Sequence, residues 1–180
     1  MSSLRFKPWV GKEIKPTQPF VLQSPPMVQS MPSEKSCGAV IFKQNTERRY
    51  LLLHYEGGHW DFVKGHVEGI ETEKETVLRE TQEEVALTDL SFVEGFRHRI
   101  TYYYRRAGRT VLKEVIFYLL ESKTDAVRLS REHVGYDWLS YDKAYARLTY
   151  KNAKDTIEKA RDYLENGQEK NVSGVAQQGG

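Results

Sequence analysis

The sequence predicts an α/β domain carried between two tails. Three observations point there. Apolar runs of strand length stand before and after a carboxylate-rich segment of helical period, a second helical pattern closes the folded part, and proline and Gly/Gln bias mark the two ends. At 180 residues the chain suits one domain of ordinary size plus tails, and its 39% hydrophobic content supplies a core.

Residues 1–35 hold all six prolines and the isolated aromatics Phe6, Trp9 and Phe20, a composition of irregular or extended chain. Residues 36–42 and 49–54 read as paired strands across the polar turn Gln44-Asn45-Thr46-Glu47. A glycine loop and a helix follow. Strands are expected near 90–94, at 97–105 and at 111–121, with Ala107-Gly108 turning between the last two. A short strand at 137–139 and one helix within 141–164 complete the domain, which spans 36–165. Residues 166–180 lack apolar periodicity and are expected to be a disordered tail.

The most informative stretch is Gly65-His66-Val67-Glu68-Gly69-Ile70-Glu71, then seven residues, then Arg79-Glu80-Thr81-Gln82-Glu83-Glu84-Val85-Ala86-Leu87. At about 100° per residue, Val77, Leu78, Thr81 and Val85 share one arc suited to a core, and Glu80, Glu83 and Glu84 share its neighbour. Three carboxylates at i, i+3 and i+4 repel by a few tenths of a kcal/mol per pair. A divalent cation reverses that sign. Hard ions such as Mg²⁺ take oxygen ligands and keep several waters, so the cluster suits a substrate that brings phosphate oxygens.

Composition excludes several classes. A formal net charge of +2 is too small to imply nucleic-acid binding by itself. The single cysteine, Cys37, rules out an intrachain disulfide and reads as a small buried hydrophobe. No apolar run reaches the roughly 20 residues of a membrane span, and the N-terminus lacks a secretory apolar stretch. A soluble, cytoplasmic protein is expected, without a membrane partner.

The glycine, the glutamate six positions later and the Arg-Glu-x-x-Glu-Glu segment resemble the Nudix box, matched by Gly65, Glu71, Arg79, Glu80, Glu83 and Glu84. His59-Trp60-Asp61-Phe62-Val63-Lys64-Gly65-His66-Val67-Glu68, Glu94-Gly95-Phe96, Lys113-Glu114-Val115-Ile116-Phe117-Tyr118-Leu119 and Glu132-His133-Val134-Gly135-Tyr136-Asp137-Trp138-Leu139 resemble the asymmetrical diadenosine tetraphosphate hydrolase branch. The resemblance implies a mixed central β-sheet sandwiched between helices. It also implies Mg²⁺ or Mn²⁺ held by Gly65, Glu80, Glu83 and Glu84, with Glu132 as an added carboxylate from outside the box. Glu83 is the first candidate for the general base, with Glu84 and Glu132 as alternatives. Arg79 is expected to anchor Glu71, and Lys64 to meet a phosphate.

The same resemblance implies hydrolysis of diadenosine tetraphosphate to ATP and AMP. Tyr102 and Tyr136 would sandwich an adenine, Lys113 would contact phosphate, and His59 is a further phosphate-side candidate. Strand alternation puts Tyr102 and Tyr104 on one face and Tyr103 on the other, so that one face can stack a base while the other enters the core. Val63, Gly69-Ile70 and Ala86 depart from the branch's Pro, Pro-Gly and Gly, and Thr81 replaces an apolar residue. Gly69 is expected to supply the turn that Ile70 would adopt only with strain.

Two other readings remain open. Another nucleotide pyrophosphohydrolase is one, such as an RNA 5′-end pyrophosphohydrolase, which Arg97, His98, Arg99, Arg105, Arg106, Arg109 and Lys113, with Arg5, Lys7, Lys12 and Lys15, would suit. A non-catalytic nucleotide-sensing module is the other, disfavoured by the intact carboxylate set. The N-terminal extension offers a homodimer contact through Trp9 and Phe20.

Overall fold

The computed structural model describes residues 33–175, which build a sheet and three helices. Strands β1 (Ser33–Gln44) and β2 (Arg48–Tyr55) form the expected antiparallel pair, with Phe42 opposite Tyr50. β3 (Trp60–Asp61) and β4 (Val63–His66) follow, then α1 (Glu73–Val85), β5 (Leu90–Arg106), β6 (Arg109–Ser122), β7 (His133–Leu139), α2 (Tyr141–Arg147) and α3 (Lys151–Val175). The sheet runs β3-β2-β1-β6-β5, with β4 against β1 and β7 against β2. Only the β1–β6 pairing among these is parallel, so the sheet is mixed.

β1 is a continuous apolar run because both of its faces are covered. Cys37, Ala39 and Ile41 face a core shared with Val77 and Val85 of α1. Val40 and Phe42 face a second core shared with Ala144 and Leu148 and with Ala153, Ile157 and Ala160 of α3. This is the α-β-α arrangement expected. Cys37 is fully buried, and burial pushes its thiol up to about 11, as suits a packing residue.

α1 starts at a capping box: Thr72 accepts from the Glu75 backbone, and the Glu75 side chain accepts from Thr72 N–H. Of the expected inner arc, Val77, Thr81 and Val85 are buried and Leu78 is 45% exposed, so its place is taken by Thr76. The Thr81 hydroxyl donates to Val77 O at 2.7 Å, which satisfies it inside the core. Gly69 has φ +53 and supplies the turn, leaving Ile70 fully exposed with an ordinary backbone.

Ala86 ends α1 in the left-handed region, φ 55 and ψ 28. That conformation costs a residue with a Cβ about 1–2 kcal/mol. Ala86→Gly is therefore expected to stabilise the protein by about 1 kcal/mol, read as a higher denaturant midpoint at unchanged slope. A lower midpoint would mean that the Cβ packing outweighs the strain.

Several expectations are corrected. The two strands expected at 90–94 and 97–105 are one long strand, β5, bent by a register shift between Phe92 and Arg97 with Gly95 at φ +84. The Ala107-Gly108 turn has positive φ at both residues, as a two-residue hairpin requires. The single helix expected at 141–164 is two, because Thr149 is tied across to β3: its N–H donates to Trp60 O and its Oγ1 accepts from Trp60 N–H. α3 then continues to Val175, so regular structure extends past 165 into the segment expected to be disordered. β3 and β4 occupy what was expected to be loop, and β1 begins at Ser33 rather than 36. The expectations for residues 1–32, including the dimer contact and the basic segment, lie outside the described residues.

Candidate active site

β4 and α1 build the site together. A Cβ on Gly65 would overlap the Glu80 carboxylate, so a bare backbone here is what leaves that carboxylate its place against β4. Glu84, one turn further along, is 5% exposed and accepts from Lys64 N–H at 3.3 Å. Glu83 lies outward, exposed, with Arg79 Nη1 at 3.1 Å. Arg79 holds the cluster in place. Its Nε and Nη2 grip both Glu71 oxygens at 2.6 and 3.0 Å, Nη1 reaches Glu80 at 2.8 Å, and Nη2 also donates to His66 O. The expected Arg79–Glu71 pair is thus a bidentate clamp between the glycine loop and the helix.

Burial and crowding set the electrostatics. Desolvation pushes Glu84 up to about 8, with the Glu80 and Glu132 charges adding to it and Lys64 opposing. Glu80 is raised for the same first reason. Glu132 sits in the exposed turn before β7, near enough for its charge to act on both. His133 stands with Nε2 3.8 Å from Glu84 and buried without a hydrogen-bond partner among the described residues. Burial lowers that imidazole to about 4, so at neutral pH it is uncharged and the contact is no ion pair.

These groups fit a hard divalent cation. The donors are carboxylate oxygens beside a glycine backbone that admits no side chain, and an orphaned buried imidazole nitrogen faces one of them. Among the described residues no three acidic, cysteine or histidine side chains are arranged to hold an ion alone. Waters and substrate oxygens would complete the shell.

Two pH windows follow. Glu84 in the native state keeps its proton to about pH 8, against an ordinary value of 4.5, so its share of metal-free stability falls as pH rises between them; His133, lowered to about 4 from 6.5, acts in the opposite sense below 6.5, so the net decline from this pair is expected from about pH 6.5 to 8. Glu71 is held down to about 2 by Arg79, so its contribution is present above 4.5 and lost as pH falls towards 2. Denaturant titrations in chelator are expected to show the upper decline, Glu84→Gln to flatten it, and added Mg²⁺ or Mn²⁺ to reverse it. A flat wild-type profile would overturn this account of Glu84.

On the α3 side of the sheet a cavity of about 780 Å³ is lined by His59, Asp61, Lys64, Tyr102, Tyr104, Lys113, Tyr150 and Asn152, among others. Four expected substrate residues therefore meet: His59, Lys64, Tyr102 and Lys113. Tyr136 does not. It pairs with Leu53 on β7–β2 and shares that residue's face, the α1 side, so the expected Tyr102–Tyr136 sandwich is not formed. Tyr104 and Tyr150 are the tyrosines that line the cavity with Tyr102 instead. Tyr103 is 64% exposed rather than in the core, because β5 is the sheet's outer strand.

Lys64 connects cavity and carboxylates. Its backbone N–H meets Glu84, while its Nζ stands 3.0 Å from Asp61, 3.2 Å from Tyr55 Oη and over the Tyr55 ring. The sequence reading missed Asp61, Tyr55, His133, Glu34 and His66. For Asp61 a signal existed, an acid three residues before Lys64 inside an apolar word. Much of the basic strand pair is neutralised: Arg97 by Glu73, Arg99 by Glu114 and Arg106 by Glu34.

Known proteins are similar to this chain in sequence and in fold. A NUDIX domain family model matches residues 34–160. The bis(5′-nucleosyl)-tetraphosphatases [asymmetrical] of Sus scrofa and Rattus norvegicus are each 37% identical over 143 residues, covering 72% of this chain and 95% of theirs. The crystal structure of a C. elegans Ap4A hydrolase binary complex matches with a TM-score of 0.67 at 28% identity, covering 74% of this chain and 98% of that one. No described helix is long and apolar enough to cross a membrane. With its box, its fold and these relatives in agreement, the chain belongs to the Nudix hydrolase family.

Proposed function

We propose that this protein hydrolyses diadenosine tetraphosphate to ATP and AMP with Mg²⁺ or Mn²⁺ as cofactor. The observation that carries the reading is the place of Lys64, whose backbone touches the box carboxylate Glu84 and whose ammonium lies in a cavity lined by tyrosines and a second lysine. The relatives' names supply the substrate. Gly65, Glu80, Glu83 and Glu84 would hold metal, with Glu132 added from the turn before β7. When bound, a divalent cation would polarise the phosphate oxygens and lower the pKa of the attacking water.

The chain's own residues do the rest. Lys64 and Lys113 offset charge along the polyphosphate, and Tyr102 offers a face to one adenine, with His59 and Tyr150 nearby. Holding one nucleoside at a set distance from the carboxylates is enough to restrict attack to one end of the phosphate chain. Glu83, exposed and bonded by Arg79, is the group we assign to take the proton of the attacking water at a carboxylate oxygen. Arg79 acts by keeping Glu71 and Glu80 in place. Exposed Arg105 and Arg109 at the β5–β6 turn keep an RNA 5′ end in view as a rival substrate.

Product analysis with Mg²⁺ or Mn²⁺ tests this across diadenosine tetraphosphate, ADP-ribose, deoxynucleoside triphosphates and 5′-triphosphorylated RNA, with Glu84→Gln as blank. Conversion of the first to ATP and AMP is expected. Preference for RNA would reassign the substrate, and no turnover would favour a nucleotide-sensing module.

A further inference from the structure

The cavity's cations already have carboxylate partners. Lys64 has Asp61. Lys113 is flanked by Glu34, its register neighbour on β1, and by Tyr102, its neighbour on β5. The Glu34 carboxylate accepts from Arg106 Nη1 at 2.9 Å and Lys113 Nζ at 3.3 Å, and lies 2.9 Å from His66 Nε2. Its side chain is only 20% exposed, and it lines the cavity beside the groups assigned to phosphate. A carboxylate there presents the same chemistry to Lys113 and Arg106 as a phosphate oxygen does, one negative charge carrying acceptor oxygens.

We propose that Glu34 is an internal counter-ion that competes with substrate phosphate for Lys113 and Arg106, and so sets the cavity's affinity for polyphosphates. The inference rests on the proposed function for where the polyphosphate lies. With Glu34 in place an entering chain must displace the carboxylate or share its cations, so affinity stays below what Lys113 and Arg106 alone would give. Product leaves more readily for the same reason. Asp61 is less suited to this role because its Oδ1 is also committed to the Phe62 N–H.

Glu34→Gln keeps the shape and removes the charge. One unit charge removed at about 4 Å in a water-like surrounding is worth about fivefold in binding. KM for diadenosine tetraphosphate is expected to fall at least about fivefold, more at low ionic strength than at high. The dissociation constant of inorganic tripolyphosphate, measured by calorimetry, is expected to fall in parallel. In a Lys113→Met background the gain should shrink, since the two side chains act on each other. A Glu34 that only braced β1 to β6 would give the opposite, a lower melting temperature with KM unchanged or raised, and that result overturns the proposal. If wild-type protein turns over no dinucleotide, the functional reading fails by itself, and tripolyphosphate binding still decides the role of Glu34.

Discussion

Glu84→Gln is expected to lower the rate of diadenosine tetraphosphate hydrolysis by at least about 10²-fold at saturating Mg²⁺, while making the metal-free protein more stable above neutral pH. The two effects have one cause. Glu84 is a buried carboxylate that accepts a single backbone N–H, from Lys64, and faces an uncharged imidazole. Among the described residues nothing neutralises it fully, and burial pushes it up to about 8. Glutamine can still accept from Lys64 N–H, needs no ionisation, and gives up the anionic oxygen that a cation requires. Glu83→Gln provides the contrast. That carboxylate is exposed and among the described residues bonds Arg79 alone, so a rate loss of at least about 10²-fold is expected with stability changed by less than about 0.5 kcal/mol. Steady-state rates paired with denaturant titrations in chelator measure both. A Glu83→Gln enzyme of near wild-type rate would remove Glu83 from the mechanism.

Gly65→Ala is expected to cost activity on the same scale without touching any charged group. The added methyl would overlap the Glu80 carboxyl, so either Glu80 swings off Arg79 or β4 moves away from β1, where Gly65 pairs with Cys37. Overpacking of this kind typically costs about 1–3 kcal/mol. A displacement of about 1 Å at catalytic groups can cost about 10²-fold in rate. The decisive readout is the stabilisation by Mg²⁺ or Mn²⁺ in a melting experiment, which should be largely lost in Gly65→Ala and kept in a surface control such as Ile70→Ala. Retention of both activity and metal stabilisation would show that Glu80 has room to adjust and that the bare backbone at Gly65 is not needed.

Much of the site was legible because the box is local. Gly65, Glu71, Arg79, Glu80, Glu83 and Glu84 lie within one loop and one helix, and helical geometry alone puts the glutamates on adjacent arcs. The Arg79–Glu71 clamp could be anticipated from that spacing and the family pattern. Residues contributed by distant strands were less legible. Tyr102 and Lys113 were named from the branch word and do face one cavity, whereas Tyr136 was named on the same grounds and lies on the other face of the sheet. Strand alternation gave the right partners for Tyr102 but could not say that β5 is an outer strand, which is why Tyr103 is exposed and not in a core. The break between α2 and α3 was invisible for a like reason: Thr149 stops the helix by bonding Trp60, 89 residues away in sequence.

The sequence by itself determined what depends on short-range spacing: the strand pair ahead of the glycine loop, the helix that carries Glu80, Glu83 and Glu84 on adjacent arcs, and the family. Only the tertiary structure decided how charge is shared across strands. Glu34 and Lys113 are 79 residues apart, and a parallel pairing of β1 with β6 makes them neighbours. Burial of Glu84 against β4 likewise separates it from Glu83, its equal in the sequence. Proton affinity and charge pairing depend on burial and on through-space distance, and neither quantity exists until the sheet is assembled.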